Sequence, residues 1–132
     1  MGKEHLQELV AELQVIDAHV KEFRSQSQAL EEQMMEAAYT KESLAALQDA
    51  GTSVLAQFSS GIFIPAQITG KDRLIVNVGS NIAVEKGIPE TISLMERQVK
   101  EIDGIRKTIG KAMQRLIDRA MAIDAEISRI GG

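Results

Sequence analysis

Two long stretches of this chain place apolar residues at alternating steps of three and four, the spacing of a helix with one narrow apolar stripe. The first runs Leu6, Leu9, Leu13, Ile16, Val20, Phe23, then Ser27, Leu30, Met34, Ala37, then Lys41 and Leu44. The second runs Ile92, Met95, Val99, Ile102, Arg106, Ile109, Met113, Leu116, Ala120, Ile123, Ile127 and Ile130, with Arg106 alone breaking it. Neither contains an internal proline, so each can stay helical for about 40 residues, or roughly 60 Å. A stripe that narrow is buried only against another helix.

The other stretch of the same chain is the nearest partner. Residues 1–50 carry ten acidic and four basic side chains, whereas residues 90–132 carry seven and eight. That imbalance favours pairing one stretch with the other over pairing each with itself. A short connection makes the two antiparallel. Aromatics are 3% of the chain and Trp is absent, so a conventional core is poorly supplied. The expected class is α+β: a long antiparallel coiled-coil hairpin with two central β-hairpins, in one domain spanning 1–132 with helices over 1–50 and 88–130 and the β-hairpins over 51–87. Gly104 and Gly110 mark a softer stretch of the second helix.

Between Gly51 and Gly87 the period changes to two. Four short strands are predicted, at 53–58, 61–68, 73–78 and 82–86. Turn signals separate them: Ser59-Ser60-Gly61, Thr69-Gly70-Lys71-Asp72 and Gly79-Ser80-Asn81, where Gly or Asn can supply a positive φ. Pro65 has no N–H to donate and belongs at an unpaired edge or a bulge. Ile62, Ile64, Ala66 and Ile68 share one face; Leu74, Val76 and Val78 share another, followed by Ile82 and Val84. Phe63, Ile75 and part of the first strand (Val54, Ala56, Phe58) are expected on the opposite faces. Four strands of this length cannot bury both faces, so other subunits should complete the sheet and close it into an oligomeric β-barrel hub. The predicted assembly residues are Phe58, Ile62, Phe63, Ile64, Leu74, Ile75, Val76, Val78, Ile82 and Val84.

No catalytic constellation emerges. The absence of Cys excludes a disulfide framework, a thiolate metal site and a Cys nucleophile. His5 and His19 have no third ligand and read as surface residues, and neither serine-glycine turn has the pattern of a phosphate loop. Neither a metal nor another cofactor is expected, and Glu31, Glu32 and Glu36 read as a solvated helix face. The net charge of −4 argues against nucleic acid. No apolar run approaches the ~20 residues of a membrane span and the first residues lack a signal-peptide core, which predicts a soluble intracellular protein without membrane partners. Most of Met34, Met35, Met95, Met113 and Met121 fall at seam or near-seam positions and are expected in the core. The functional candidates lie at the distal tip of the coiled coil, where Leu6, Leu9, Val10 and Leu13 should meet Ile123, Ile127 and Ile130, and where fraying would expose apolar side chains to a client.

The run Gly61-Ile62-Phe63-Ile64-x-Ala66-x-Ile68, then Leu74-Ile75-Val76-x-Val78-Gly79, then Ile82-x-Val84-Glu85-Lys86 before an amphipathic helix resembles the alpha class of archaeal prefoldins. Two hairpins point to the alpha class, since the beta class is expected to carry one. In place of the usual Val-Pro-aliphatic-Gly of the first strand stands Ala56-Gln57-Phe58-Ser59. The resemblance implies a cytoplasmic hexamer of two alpha and four beta subunits with a double β-barrel hub. It implies capture of unfolded polypeptides at the coiled-coil tips without ATP, and their delivery to a group II chaperonin. The alternative is a coiled-coil scaffold or adaptor for one folded partner; an enzyme has no residues to support it.

Overall fold

The computed structural model describes residues 2–131. The elements are α1 (Gly2–Asp49), β1 (Ser53–Ser59), β2 (Ile62–Gln67), β3 (Leu74–Gly79), β4 (Ile82–Lys86) and α2 (Ile88–Gly131). They form two compact units, one of Met1–Met34 with Glu101–Gly132 and the other of Met35–Lys100.

In the first unit the two helices run antiparallel. His5 meets Glu126 and Glu12 meets Arg119, so seven residues forward along α1 correspond to seven back along α2. The predicted stripes form the seam: Leu9, Ile16, Val20 and Ile123 are buried, with Leu13, Met113, Leu116, Ile117, Ala120 and Ile127 packed against them. Ile123 is fully enclosed at 0% exposure. Each buried aliphatic side chain stabilises the pairing by about 2 kcal/mol. Arg106, the one cation on the α2 stripe, turns its Nη1 toward the Met34 sulfur at 3.5 Å and its Nη2 toward Glu31 at 4.0 Å. Its Nε is buried without a hydrogen-bond partner. Gly104 and Gly110 lie within the continuous helix α2.

In the second unit the predicted α1 stripe requires one correction. Lys41 is exposed and pairs with Glu96 at 3.0 Å, and Thr40 takes the half-buried position ahead of Leu44 and Leu47. The buried side of α1 here falls on Ala37, Thr40, Leu44 and Leu47, at steps of three, four and three, one residue earlier than a fixed repeat carried on through Lys41 would place it. The last turn of α1 has no basic residue of its own. Lys71, from the loop between the hairpins, donates its ammonium to the Ala50 carbonyl and supplies the positive charge that a helix C-terminus favours. At the start of α2 Ile88 is buried, Pro89 follows within the first turn, and Thr91 donates both its N–H (3.0 Å) and its hydroxyl (2.8 Å) to the Gly87 carbonyl.

The insert is two separate antiparallel pairs, β1 with β2 and β3 with β4. Each has a bulge in its first strand just before the turn, with Phe58 and Val78 as the inserted residues. In the second turn both Ser80 (φ 52°) and Asn81 (φ 60°) are left-handed, the signature of a type I′ turn. The serine was not expected to share that conformation. In the first hairpin the Ile68 N–H donates to the Thr52 carbonyl at 2.8 Å. Inward groups recur every second residue, so Ala66 and Ile64 point their amides at β1 while the Pro65 nitrogen points to the outer edge, where no ladder bond is lost.

The register also corrects the assignment of faces. Val54 and Ala56 stand directly across from Ala66 and Ile64, so they share the face of Ile64 and not that of Phe63. The residue across from Pro65 is Leu55, and it joins Phe63 on the other side.

Candidate functional site

Among the described residues, apart from single exposed side chains such as Val15, Tyr39 and Ile105 on the helices, two groups of apolar side chains are uncovered. On the hairpins Phe58, Ile62, Phe63, Ile64, Ile75, Val78 and Ile82 are exposed, and Leu74, Val76 and Val84 are half-buried. Leu55, which the sequence reading passed over, is 68% exposed. The exposed residues occupy both faces of the first hairpin, and among the described residues of its unit no second layer covers either face. Two-stranded ribbons with apolar residues on both sides are not stable in water unless something packs on them.

The second group lies in the first unit. The residues expected at its end divide by burial: Leu9 and Ile123 are buried seam residues, Leu6, Leu13 and Ile127 are half-buried beside them, and Val10 and Ile130 are each 41% exposed. Met121, expected near the seam, is 67% exposed, as is Met35; Met34, Met95 and Met113 are half-buried. Met121 follows the seam residue Ala120 and points off the stripe, a placement its apolar character alone does not reveal.

Polar clasps border this unit on one side. Arg119 grips Glu12 with two donors, Nε to Oε1 at 2.9 Å and Nη2 to Oε2 at 3.0 Å. That hydrogen bonding holds the Glu12 carboxyl below the usual carboxylate range and raises Arg119. One heptad away His5 Nε2 lies 2.9 Å from Glu126 Oε1, and this hydrogen bond lowers the Glu126 carboxyl. His5 is therefore half of an inter-helix clasp. Among the described residues no three His, Cys, Asp or Glu side chains gather into a metal-binding group, and no helix is long and apolar enough to cross a membrane.

A sequence model of the family described as Prefoldin subunit matches residues 16–132. The chain belongs to the prefoldin family. Among its relatives, the Prefoldin subunit alpha of Nitrosopumilus maritimus is 27% identical over 88% of this chain and 83% of its own length. That of Archaeoglobus fulgidus is 23% identical over 96% and 94%. The Pyrococcus horikoshii Prefoldin subunit alpha reaches 39% identity over 54% of this chain and 49% of its own length. These names agree with the alpha class that the two hairpins suggested. Among solved structures, a chain of the filamentous PFD from Methanocaldococcus jannaschii superposes with a TM-score of 0.77 at 20% identity, covering 88% of this chain and 98% of that one. That likeness shows the prefoldin fold of two long helices and two hairpins. As a prefoldin the protein is a chaperone-type subunit.

Proposed function

We propose that this prefoldin subunit is an ATP-independent holdase of the cytoplasm, which captures unfolded polypeptides at the terminal end of its helix pair and passes them to a group II chaperonin. The hairpins assemble it with beta subunits, two alpha to four beta, into a β-barrel hub. The observation that supports this reading best is the exposure of large apolar side chains on both hairpins, since an aqueous chain keeps Phe58, Phe63 and Ile75 uncovered only where partners cover them. Val10 and Ile130 support the capture site, because side chains beside a seam that remain open to solvent can hold apolar segments weakly. Several weak contacts on one oligomer add to useful avidity while each stays quickly reversible.

The test has two parts. The assembled protein should suppress aggregation of several unrelated denatured proteins without nucleotide. Removing about ten residues from each terminus should abolish suppression and leave the native mass of the oligomer, alone or with a beta subunit, unchanged. An adaptor for one folded partner would suppress none of them, and a stable monomer with every candidate partner would overturn the assembly reading.

A further inference from the structure

The seam of the first unit has two unlike borders. On α1 the residues just before the stripe are His5 and Glu12, and on α2 they are Arg119 and Glu126; these four form the two inter-helix clasps. The residues just after the stripe face one another along the opposite border, because antiparallel helices bring like flanks together. There stand Val10 and Asp17 on α1, and Ile117 and Asp124 on α2. No inter-helix ion pair closes this border among the described residues.

In place of an ion pair there is an open groove of about 360 Å³, floored by the seam and walled by Ile117 and Met121, with Asp17 and Asp124 on its rim. Asp17 holds Lys21 of its own helix at 3.0 Å, but both side chains are mostly in solvent, so the pair is weak and exchangeable. Asp124 takes part in none of the ion pairs among the described residues. Apolar walls with a thioether adapt to varied side chains, and two carboxylates above them favour a cation beside whatever enters.

We infer that this groove seats one apolar side chain of a non-native polypeptide whose sequence neighbours on both sides are Lys or Arg, the aliphatic group entering between Ile117 and Met121 while one flanking cation meets Asp17 and the other Asp124. The inference rests on the capture function proposed above. It adds a preference for basic-flanked apolar segments and assigns that preference to one border.

The probes are two labelled peptides that share a central Ile-Leu-Phe run and differ only in Lys or Glu flanks, titrated by fluorescence anisotropy against the full-length chain in its native assembly. The Lys-flanked peptide should bind about fivefold more tightly at low salt, as two exposed charge contacts allow, with the gap narrowing as salt is added. Asp17→Asn with Asp124→Asn should bring the ratio close to one. Glu8→Gln with Glu22→Gln, which removes the same charge from the outer face of α1, should leave it intact. A photoreactive phenylalanine analogue at position 121 should cross-link the Lys-flanked peptide, and the same analogue at position 19 should not. A preference that survives the double Asp variant, disappears equally in the double Glu variant, or cross-links at position 19 would overturn the groove assignment. Equal binding of both peptides by the parent protein would also overturn it while leaving capture intact, whereas failure of both peptides to bind would remove the capture function and the groove with it.

Discussion

Ile123 and Ile130 occupy equivalent positions one heptad apart on α2, yet one is 0% exposed and the other 41%. Replacing each by Ala therefore separates burial from pattern. Three carbons are lost in both cases, a transfer cost of about 2.4 kcal/mol when burial is complete. At Ile123 the closed surroundings add a cavity cost, bringing the loss to about 3 kcal/mol after the better helix propensity of Ala is counted. At Ile130 the transfer cost scales with the buried part to about 1.4 kcal/mol, no closed cavity forms, and propensity returns about 0.4, leaving about 1 kcal/mol. For a chain of this size the unfolding entropy is about 0.28 kcal/mol per degree, so the melting temperature should fall by about 10 °C for Ile123→Ala and by about 4 °C for Ile130→Ala. Thermal unfolding followed by far-ultraviolet circular dichroism reads both. Aggregation suppression measured below either midpoint should fall for Ile130→Ala despite its small stability cost. Equal melting shifts for the two variants would refute the burial contrast, and unchanged suppression by Ile130→Ala would remove that residue from the capture surface.

Arg106→Leu should raise stability by about 1–2 kcal/mol in urea unfolding, because it replaces a buried, partnerless Nε with an apolar group; a loss would mean that the contacts to Met34 and Glu31 outweigh that penalty. Gly104→Ala and Gly110→Ala should each add about 1 kcal/mol, since a Cβ at either position meets no atom within 4 Å, and the melting midpoint of the double variant checks the sum. Acid should weaken the clasps. Glu12 and Glu126 are lowered from the ordinary carboxylate value of 4.5 by hydrogen bonds to Arg119 and His5, so their contribution is present above that value and is lost as pH falls through it toward the lowered folded values. The melting temperature should accordingly drop less between about pH 5 and about pH 3 in the Glu12→Gln, Glu126→Gln variant than in the parent, and parallel profiles would refute the assignment.

Steps of three and four were enough to place both helices, because the apolar stripe of a helix pair is written in local spacing. The four strands were equally visible, with ends within a residue or two of Ser53–Ser59, Ile62–Gln67, Leu74–Gly79 and Ile82–Lys86. What escaped depends on geometry that joins separate elements or distant residues. A fixed repeat places Lys41 on the stripe, whereas Thr40 is the half-buried residue and Lys41 reaches out to Glu96, a choice made by the partner helix and not by local spacing. The bulges at Phe58 and Val78 arise from turn closure and leave no trace in the alternation of apolar residues. His5 and Glu126 lie 121 residues apart, so nothing in the neighbourhood of either announces the other.

The candidate surfaces were legible in a more limited sense. Periodicity states which side of an element is apolar, and it is silent on whether anything covers that side. Leu9 and Val10 are adjacent aliphatic residues, yet one is buried in the seam and the other borders it at 41% exposure, because the partner helix reaches only one of them. Leu55 and Phe63 make the same point on the hairpin: the alternation predicted a face for Phe63, but the register alone shows that Leu55 joins it and that both sides of a two-stranded ribbon are left open. Apolar pattern without cover in the folded chain is thus the physical ground on which the proposed function rests. Under the function proposed above, the first hairpin, open on both faces, would take the larger and more permanent partner, whereas the scattered, half-covered side chains bordering the seam would suit contacts that form and release.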